Sequence, residues 1–289
     1  MTSRTALLDT SAFKGLSRDA LSAAQEAGWQ LKTSPWCFFE LLCHLDEESD
    51  FPKAKGNLMK FRGIEIIDKP LDRAVAKLGN SEEPRVWSSG LCYAALAAID
   101  AAQSYDDLAN SVLLDEAGNT RGPLKDVALQ VRRVLDEAEH EFQDHMTSMI
   151  ATLKAEGQSP RSPEQNHQVI MDTVLRAEGL PLPDTPDLDY SIIDPEIAIK
   201  DSYCFWGYSL FQAIWLERIR AVTCDKNDLE DGQLCAYVPL NEELWVVAGD
   251  KKLRSRLEDT RNLLKGVGLS TRAQFHPITP DALSQRGPS

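Results

Sequence analysis

Two apolar runs that each lead into an aspartate constrain this chain more than any other feature. Ala6-Leu7-Leu8 ends at Asp9, and Leu244-Trp245-Val246-Val247-Ala248 is followed by Gly249 and Asp250. Both runs read as buried strands, and in an open α/β sheet a carboxylate at the carboxyl end of a strand stands where ligands bind. A third acid is as unusual in its setting. Glu40 is the one charged residue in Pro35-Trp36-Cys37-Phe38-Phe39-Glu40-Leu41-Leu42-Cys43. A carboxylate on so apolar a segment is rarely tolerated unless it is paired or bound to a metal, so something cationic is expected to meet it.

The flanking residues predict how the first strand connects to Glu40. Thr5 to Leu8 reads as a strand, Ser17 to Ala27 as a helix closed by Gly28, and Trp29 to Thr33 as a second strand. Ser34 is a good N-cap with Pro35 at the first helical position, which starts the helix carrying Glu40. Gly63 to Ile67, with Ile64 and Ile66 alternating, reads as a further strand, and Gln274 to Ile278 as a last edge strand.

The middle of the chain has a different character. Residues 80–200 lack strand-like alternation and read as helical, so the expected organisation is an α/β domain in two halves, 1–79 and 201–289, around a helical insertion. The strongest insertion element runs from Pro123 to Lys154, with a stripe through Leu124, Val127, Val131, Val134, Ala138, Phe142, Met146, Met149 and Leu153. Packing within the insertion is the simpler use of that stripe, and docking of a partner the alternative. Prolines 160, 163, 181, 183, 186 and 195 mark a loop-rich return, after which 201–222 reads as a long aromatic-rich helix of mostly core residues.

At 289 residues and 43% apolar, the composition is that of a folded soluble protein. No segment has the apolar length of a signal peptide core or membrane span, so a cytoplasmic protein is expected. Six cysteines, at 37, 43, 92, 204, 224 and 235, form no CxxC pair and suit reduced core thiols. The formal charge of −14 opposes nucleic-acid binding in general, but between Asp250 and the end eight basic residues face four acidic ones. That excess is either a phosphate-binding surface or a solvated helix face. His140, Glu141, Asp144 and His145 include two pairs at four-residue spacing that point in different directions, which suits a polar helix face better than a metal site. His44 reads as a local hydrogen-bond partner near Glu40. No phosphate-cradling glycine loop and no GxSxG elbow occurs, so a serine or cysteine nucleophile has no support.

Taken in order, Leu7-Leu8-Asp9-Thr10-Ser11, Ser34-Pro35 leading to Glu40-Leu41, Asn227-Asp228-Leu229-Glu230-Asp231 and Val246-Val247-Ala248-Gly249-Asp250 resemble the motifs of the PIN-domain family, most of whose members are metal-dependent ribonucleases. The resemblance covers roughly residues 4–70 and 200–280. It implies a PIN-like three-layer α/β sandwich with a central, mainly parallel sheet. It further implies that Asp9, Glu40, a helix aspartate and Asp250 hold one or two divalent ions. Asp228 and Asp231 share a helical face; the spacing from Asp231 to Asp250 fits the family better, so Asp231 is placed first and Asp228 as a further ligand. The chain has Ala248 where the family usually carries Thr or Ser two residues before its last acid.

Hard cations such as Mg2+ or Mn2+ prefer oxygen ligands and need only a few carboxylates. The expectation is a Mg2+- or Mn2+-dependent endoribonuclease cleaving single-stranded or loop RNA by metal-activated water, with Asp9, Glu40, Asp231 and Asp250 catalytic. Thr10, Ser11, Lys251, Lys252 and Arg254 are the expected substrate contacts. The alternative is an inactive PIN-like scaffold that binds a protein or RNA partner. An antitoxin-like protein partner and a homodimer both stay open.

Overall fold

The computed structural model describes residues 4–46, 51–68, 88–114, 118, 120–156, 228–235, 237–238, 243–266 and 274–285. The expected aromatic helix at 201–222 and the proline-rich return lie outside these residues. Strand β1 (Arg4–Leu8) leads through α1 (Thr10–Gly15) and α2 (Arg18–Glu26) to β2 (Trp29–Thr33), then to α3 (Pro35–Leu42) and a 3-10 turn (Cys43–Asp46). Helix α4 (Phe51–Leu58) and a second 3-10 turn (Met59–Phe61) precede the short β3 (Glu65–Ile66). Next come α5 (Ser89–Ala101), α6 (Tyr105–Asn110), β4 (Val112–Leu114), β5 (Thr120–Pro123) and the long α7 (Leu124–Glu156). Helix α8 (Asp228–Cys235), β6 (Leu244–Val247), α9 (Lys251–Gly266), β7 (Phe275–Ile278) and α10 (Pro280–Gln285) complete the described elements.

The main sheet has five strands in the order β3-β2-β1-β6-β7, all parallel. Its centre is apolar on both faces, as a parallel sheet covered by helices requires: Ala6, Leu7, Leu8, Val246 and Val247 are essentially inaccessible. From β1 the chain winds outward through β2 and β3, and it later returns to the other side of β1 as β6 and β7. The β1/β6 boundary is therefore the topological switch point, where the crevice at the carboxyl ends opens. Helix α2 packs on β2 and against α10, while α3 gathers α1, α4, α5 and α7, an arrangement compatible with a three-layer sandwich.

Local chemistry explains these elements. The Ser34 hydroxyl accepts from the Cys37 N–H and Pro35 occupies the first turn of α3. Ser17 accepts from Ala20 N–H at the start of α2, and Gly28 turns into β2 with φ 85°, a conformation that favours glycine. Strand β3 is shorter than the expected 63–67, because Gly63 takes φ 84° and only Glu65 and Ile66 pair with β2.

The segment 88–156 is not wholly helical: β4 and β5 form an antiparallel two-stranded sheet. Only Leu113 of β4 is buried, while Val112 and Leu114 are exposed. So short a strand leaves no readable alternation. Nor does this segment stand apart, since α7 packs on α3 and on the 3-10 turn after it. Helix α7 itself matches its expected span closely, but its buried face runs through Leu124, Val127, Ala128, Val131, Leu135, Glu139 and Met146. Val134, placed on the stripe by spacing, is 37% exposed, whereas Glu139 is buried. Among the described residues, no helix is long and apolar enough to cross a membrane.

Beneath α3, Phe13 stacks on Phe61 at 3.9 Å between ring centroids, and Phe38 meets Phe61 edge-on at 5.2 Å. All three rings are fully buried, so Phe61→Ala removes a ring from a packed cluster and leaves a cavity. A loss of about 3–5 kcal/mol is expected, measured by urea unfolding. A change under about 1 kcal/mol would mean that this cluster does not anchor α3.

Candidate metal centre

The carboxyl edge at the switch point forms a cleft of about 430 Å³ whose lining includes Asp9, Thr10, Ser11, Lys14, Glu40, Asp231 and Asp250. Four of the five expected acids thus share one cavity, although they come from the start of α1, from α3, from α8 and from the start of α9. The fifth, Asp228, is not among the lining residues. It is buried, and its Oδ1 lies 2.5 Å from Arg256, which also reaches Asp231 Oδ2 at 3.1 Å. Asp228 therefore helps to hold Arg256 against Asp231.

Each acid is positioned by its element. Asp9 follows β1, where its N–H donates to Val247 O of β6 at 3.0 Å, and its carboxylate caps α1 by accepting from the Ser11 N–H at 3.2 Å. The Ser11 hydroxyl also donates to Asp9 Oδ2 and accepts from the Gly249 N–H at 2.7 Å. Glycine suits position 249 because an added Cβ would lie 3.2 Å from the Ser11 side chain. Asp250 caps α9, its Oδ1 accepting from the N–H groups of Lys252 at 2.5 Å and Leu253 at 3.0 Å. Glu40, expected to meet a cation, meets Lys14 at 3.2 Å across α1 and α3.

The electrostatics are those of carboxylates crowded out of water. Burial raises the pKa of Asp9, where the charge of Asp250 adds to the rise and the Ser11 hydrogen bonds oppose it. Burial likewise raises Glu40, opposed by Thr10 and Lys14. Asp231 is pushed up to about 8, first by desolvation, with Asp9, Asp250 and Asp228 adding to the rise and Arg256 only partly offsetting it. The Thr10 hydroxyl is buried beside Glu40 and favours its charged form without completing a hydrogen bond of good geometry.

Other expected residues take different places. Lys251 and Lys252 are exposed at the start of α9 and are not among the residues lining the cleft. The Arg254 guanidinium donates to the carbonyls of Ala248 at 2.6 Å and Gly249 at 2.7 Å, which braces the loop carrying Asp250. His140, Glu141 and Asp144 lie on an exposed face of α7. Cysteines 37, 43, 92 and 235 are buried free thiols, and 204 and 224 lie outside the described residues.

Helix α7 adds Arg132, Leu135, Asp136 and Glu139 to the lining, and the end of α3 adds Cys43 and His44. Sequence reading missed the α7 contribution. Its signal was present, since Arg132, Asp136 and Glu139 recur at steps of four and three and so share a helical face. The neighbouring apolar stripe was the more conspicuous pattern.

The four expected acids and the hydroxyls of Thr10 and Ser11 offer oxygen donors, which suit Mg2+ or Mn2+, and Cys43 and His44 also line the cleft. The raised pKa values reflect burial first, and Lys14 and Arg256 offset only part of it at Glu40 and Asp231. Among the described residues, however, no three His, Cys, Asp or Glu side chains are already gathered as a ligand set. Binding an ion here requires carboxylates to turn from their present donors. Comparisons with protein-family models, curated proteins and solved structures found no match.

The raised carboxylates fix a pH dependence. The unfolded chain releases the Asp231 proton near 3.8 while the folded chain keeps it to about 8. Stability from this group is therefore full below pH 4 and is lost as pH rises towards 8. Without divalent ions, Asp231→Asn should match the parent at acidic pH and exceed its melting temperature increasingly up to pH 8. Parallel curves across that range would refute the desolvation of Asp231.

Proposed function

We propose that this chain is a Mg2+- or Mn2+-dependent endoribonuclease with a PIN-like fold, acting on single-stranded RNA or exposed RNA loops. The observation that carries this reading is the convergence of Asp9, Glu40, Asp231 and Asp250 on one cleft at the sheet's switch point. Asp9, Asp231 and Asp250 are the direct ligands in this reading. A divalent ion there supplies Lewis-acid activation and neutralises charge on the phosphodiester. Glu40, with its pKa raised by burial, takes the proton of the attacking water, since a general base works best when its pKa approaches the operating pH. In this reading Thr10, which lines the cleft, hydrogen-bonds the phosphate or the attacking water. Ser11 positions Asp9 through its hydroxyl, and Lys251 and Lys252 meet the RNA backbone outside the cleft. The buried free thiols suit a reducing, cytoplasmic setting.

A second reading has one observation in its favour. Glu40 and Asp231 already pair with Lys14 and Arg256, which suits a scaffold that retains the acids for structure and binds an RNA or protein partner. Incubation of labelled single-stranded RNA with the protein and Mn2+, with and without EDTA, separates the two.

Under saturating Mn2+, Asp9→Asn and Asp231→Asn are expected to abolish cleavage. Asp228→Asn, acting through Arg256, should lose about 10–100-fold, the range for residues that support a ligand. Mn2+ should raise the parent's melting temperature, as a ligand of the folded state must. Cleavage that persists in EDTA, or an active Asp231→Asn variant, would defeat the metal-dependent reading.

A further inference from the structure

A second cavity, of about 540 Å³, adjoins the acidic cleft and shares Lys14 and His44 with it. Its other described lining residues are Leu41, Lys53, Ala54 and Asn57. Among these residues there is no carboxylate, in a chain whose formal charge is −14. Two lysines, an imidazole and a carboxamide supply hydrogen-bond donors over a floor made by the buried Leu41 and Ala54. Helix α3 borders both cavities, since Glu40 lines the acidic cleft and the next residue, Leu41, lines the basic pocket. Lys14 bridges them: its ammonium pairs with Glu40 at 3.2 Å while its side chain, about half exposed, also borders the basic pocket.

We propose that this pocket binds a phosphate of the single-stranded RNA that runs through the acidic cleft, a proposal that rests on the nuclease reading above. Cationic donors are what a phosphate needs, because binding gains from releasing the counterions condensed on the polyanion. The acidic cleft is poorly suited to hold an RNA backbone by itself, as its carboxylates repel phosphates not neutralised by a cation. A basic subsite beside it supplies the missing attraction and fixes which phosphodiester faces Glu40. Lys53 is the residue to test, because it is exposed, borders only the basic pocket and takes no part in the acidic cleft.

The test is binding of a fluorescent single-stranded RNA to the full chain in Mn2+, with every protein in the binding series carrying Asp9→Asn so that no cleavage occurs, over a series of salt concentrations. Lys53→Ala should weaken binding about fivefold and lower the salt slope by about 0.7, the single-strand increment for one phosphate contact. Lys53→Glu should weaken it further, and Lys265→Ala, on the exposed end of α9, should not change it. Equal binding by the parent and both Lys53 variants would overturn the pocket assignment, and continued cleavage by the parent in Mn2+ would leave the nuclease reading standing. Weakened binding by the Lys53 variants, with no cleavage by the parent in Mn2+, would support the pocket and defeat the nuclease reading. Inorganic phosphate is the control for a free anion. If it shifts the amide resonances of His44 and Asn57 while the RNA neither shifts them nor competes, the pocket is a phosphate site and the RNA assignment is overturned.

Discussion

The pairing of β1 with β6 joins residues separated by most of the chain, and the site depends on that seam. Ala6, Leu7 and Leu8 lie opposite Trp245, Val246 and Val247, and just beyond the last pair the Ser11 hydroxyl accepts from the Gly249 N–H across 238 positions of sequence. The same hydroxyl donates to Asp9. Closing so long a loop carries an entropic cost that grows slowly with its length, and the buried apolar surface of both strands offsets it. Asp9 and Asp250 are neighbours because their strands are, so displacement of β6 would also take apart the cleft.

Burial at this edge works against the charges it gathers. Asp9, Glu40 and Asp231 all have their pKa values raised, with desolvation the largest cause in each case. Lys14 and Arg256 reduce the cost without removing it, and Asp231 still titrates near 8 despite a guanidinium 3.1 Å away. An arrangement selected for stability alone would replace such acids with apolar residues, since buried ion pairs seldom exceed the worth of good apolar packing. Strain of this electrostatic kind is common where a site is arranged for binding or catalysis.

The sequence made the frame legible wherever local and global signals agreed. Trp29 to Thr33 alternates between buried and more open positions as a strand should, and Ser34-Pro35 starts α3 where capping chemistry requires. The placement of Asp9 and Asp250 followed from strand ends and that of Glu40 from the helix start at Ser34-Pro35, while Asp231 joined them through the resemblance to the PIN-domain motifs. What escaped was set by tertiary contact. On α7, periodicity favours Val134 and Ala138, whereas packing against α3 turns the helix so that Leu135 and Glu139 face inward. The β4/β5 pair has too few buried residues to announce itself, and the joint pairing of Asp228 and Asp231 with one guanidinium depends on Arg256, twenty-five positions from Asp231.

Helix α7 changes how the middle of the chain relates to the sheet. Read as an insertion, it would be expected to pack upon itself and leave the edge alone. It does pack on α6 and β5 of that segment, but it also lies along α3 and brings Arg132, Asp136 and Glu139 to the cleft, so one wall of the cavity belongs to a segment that follows β3 in the chain. Two of its three polar contributions are acidic, which deepens the negative character of the cleft, while Lys14 and His44 line both cavities and Lys53 lines the neighbouring pocket. Carboxylates and lysines thus stand side by side along one helix, with Lys14 and His44 common to both cavities. Helix α3 borders both, and its buried Phe38 packs edge-on against Phe61, which stacks on Phe13, so the packing that anchors α3 also sets the relation of the two cavities.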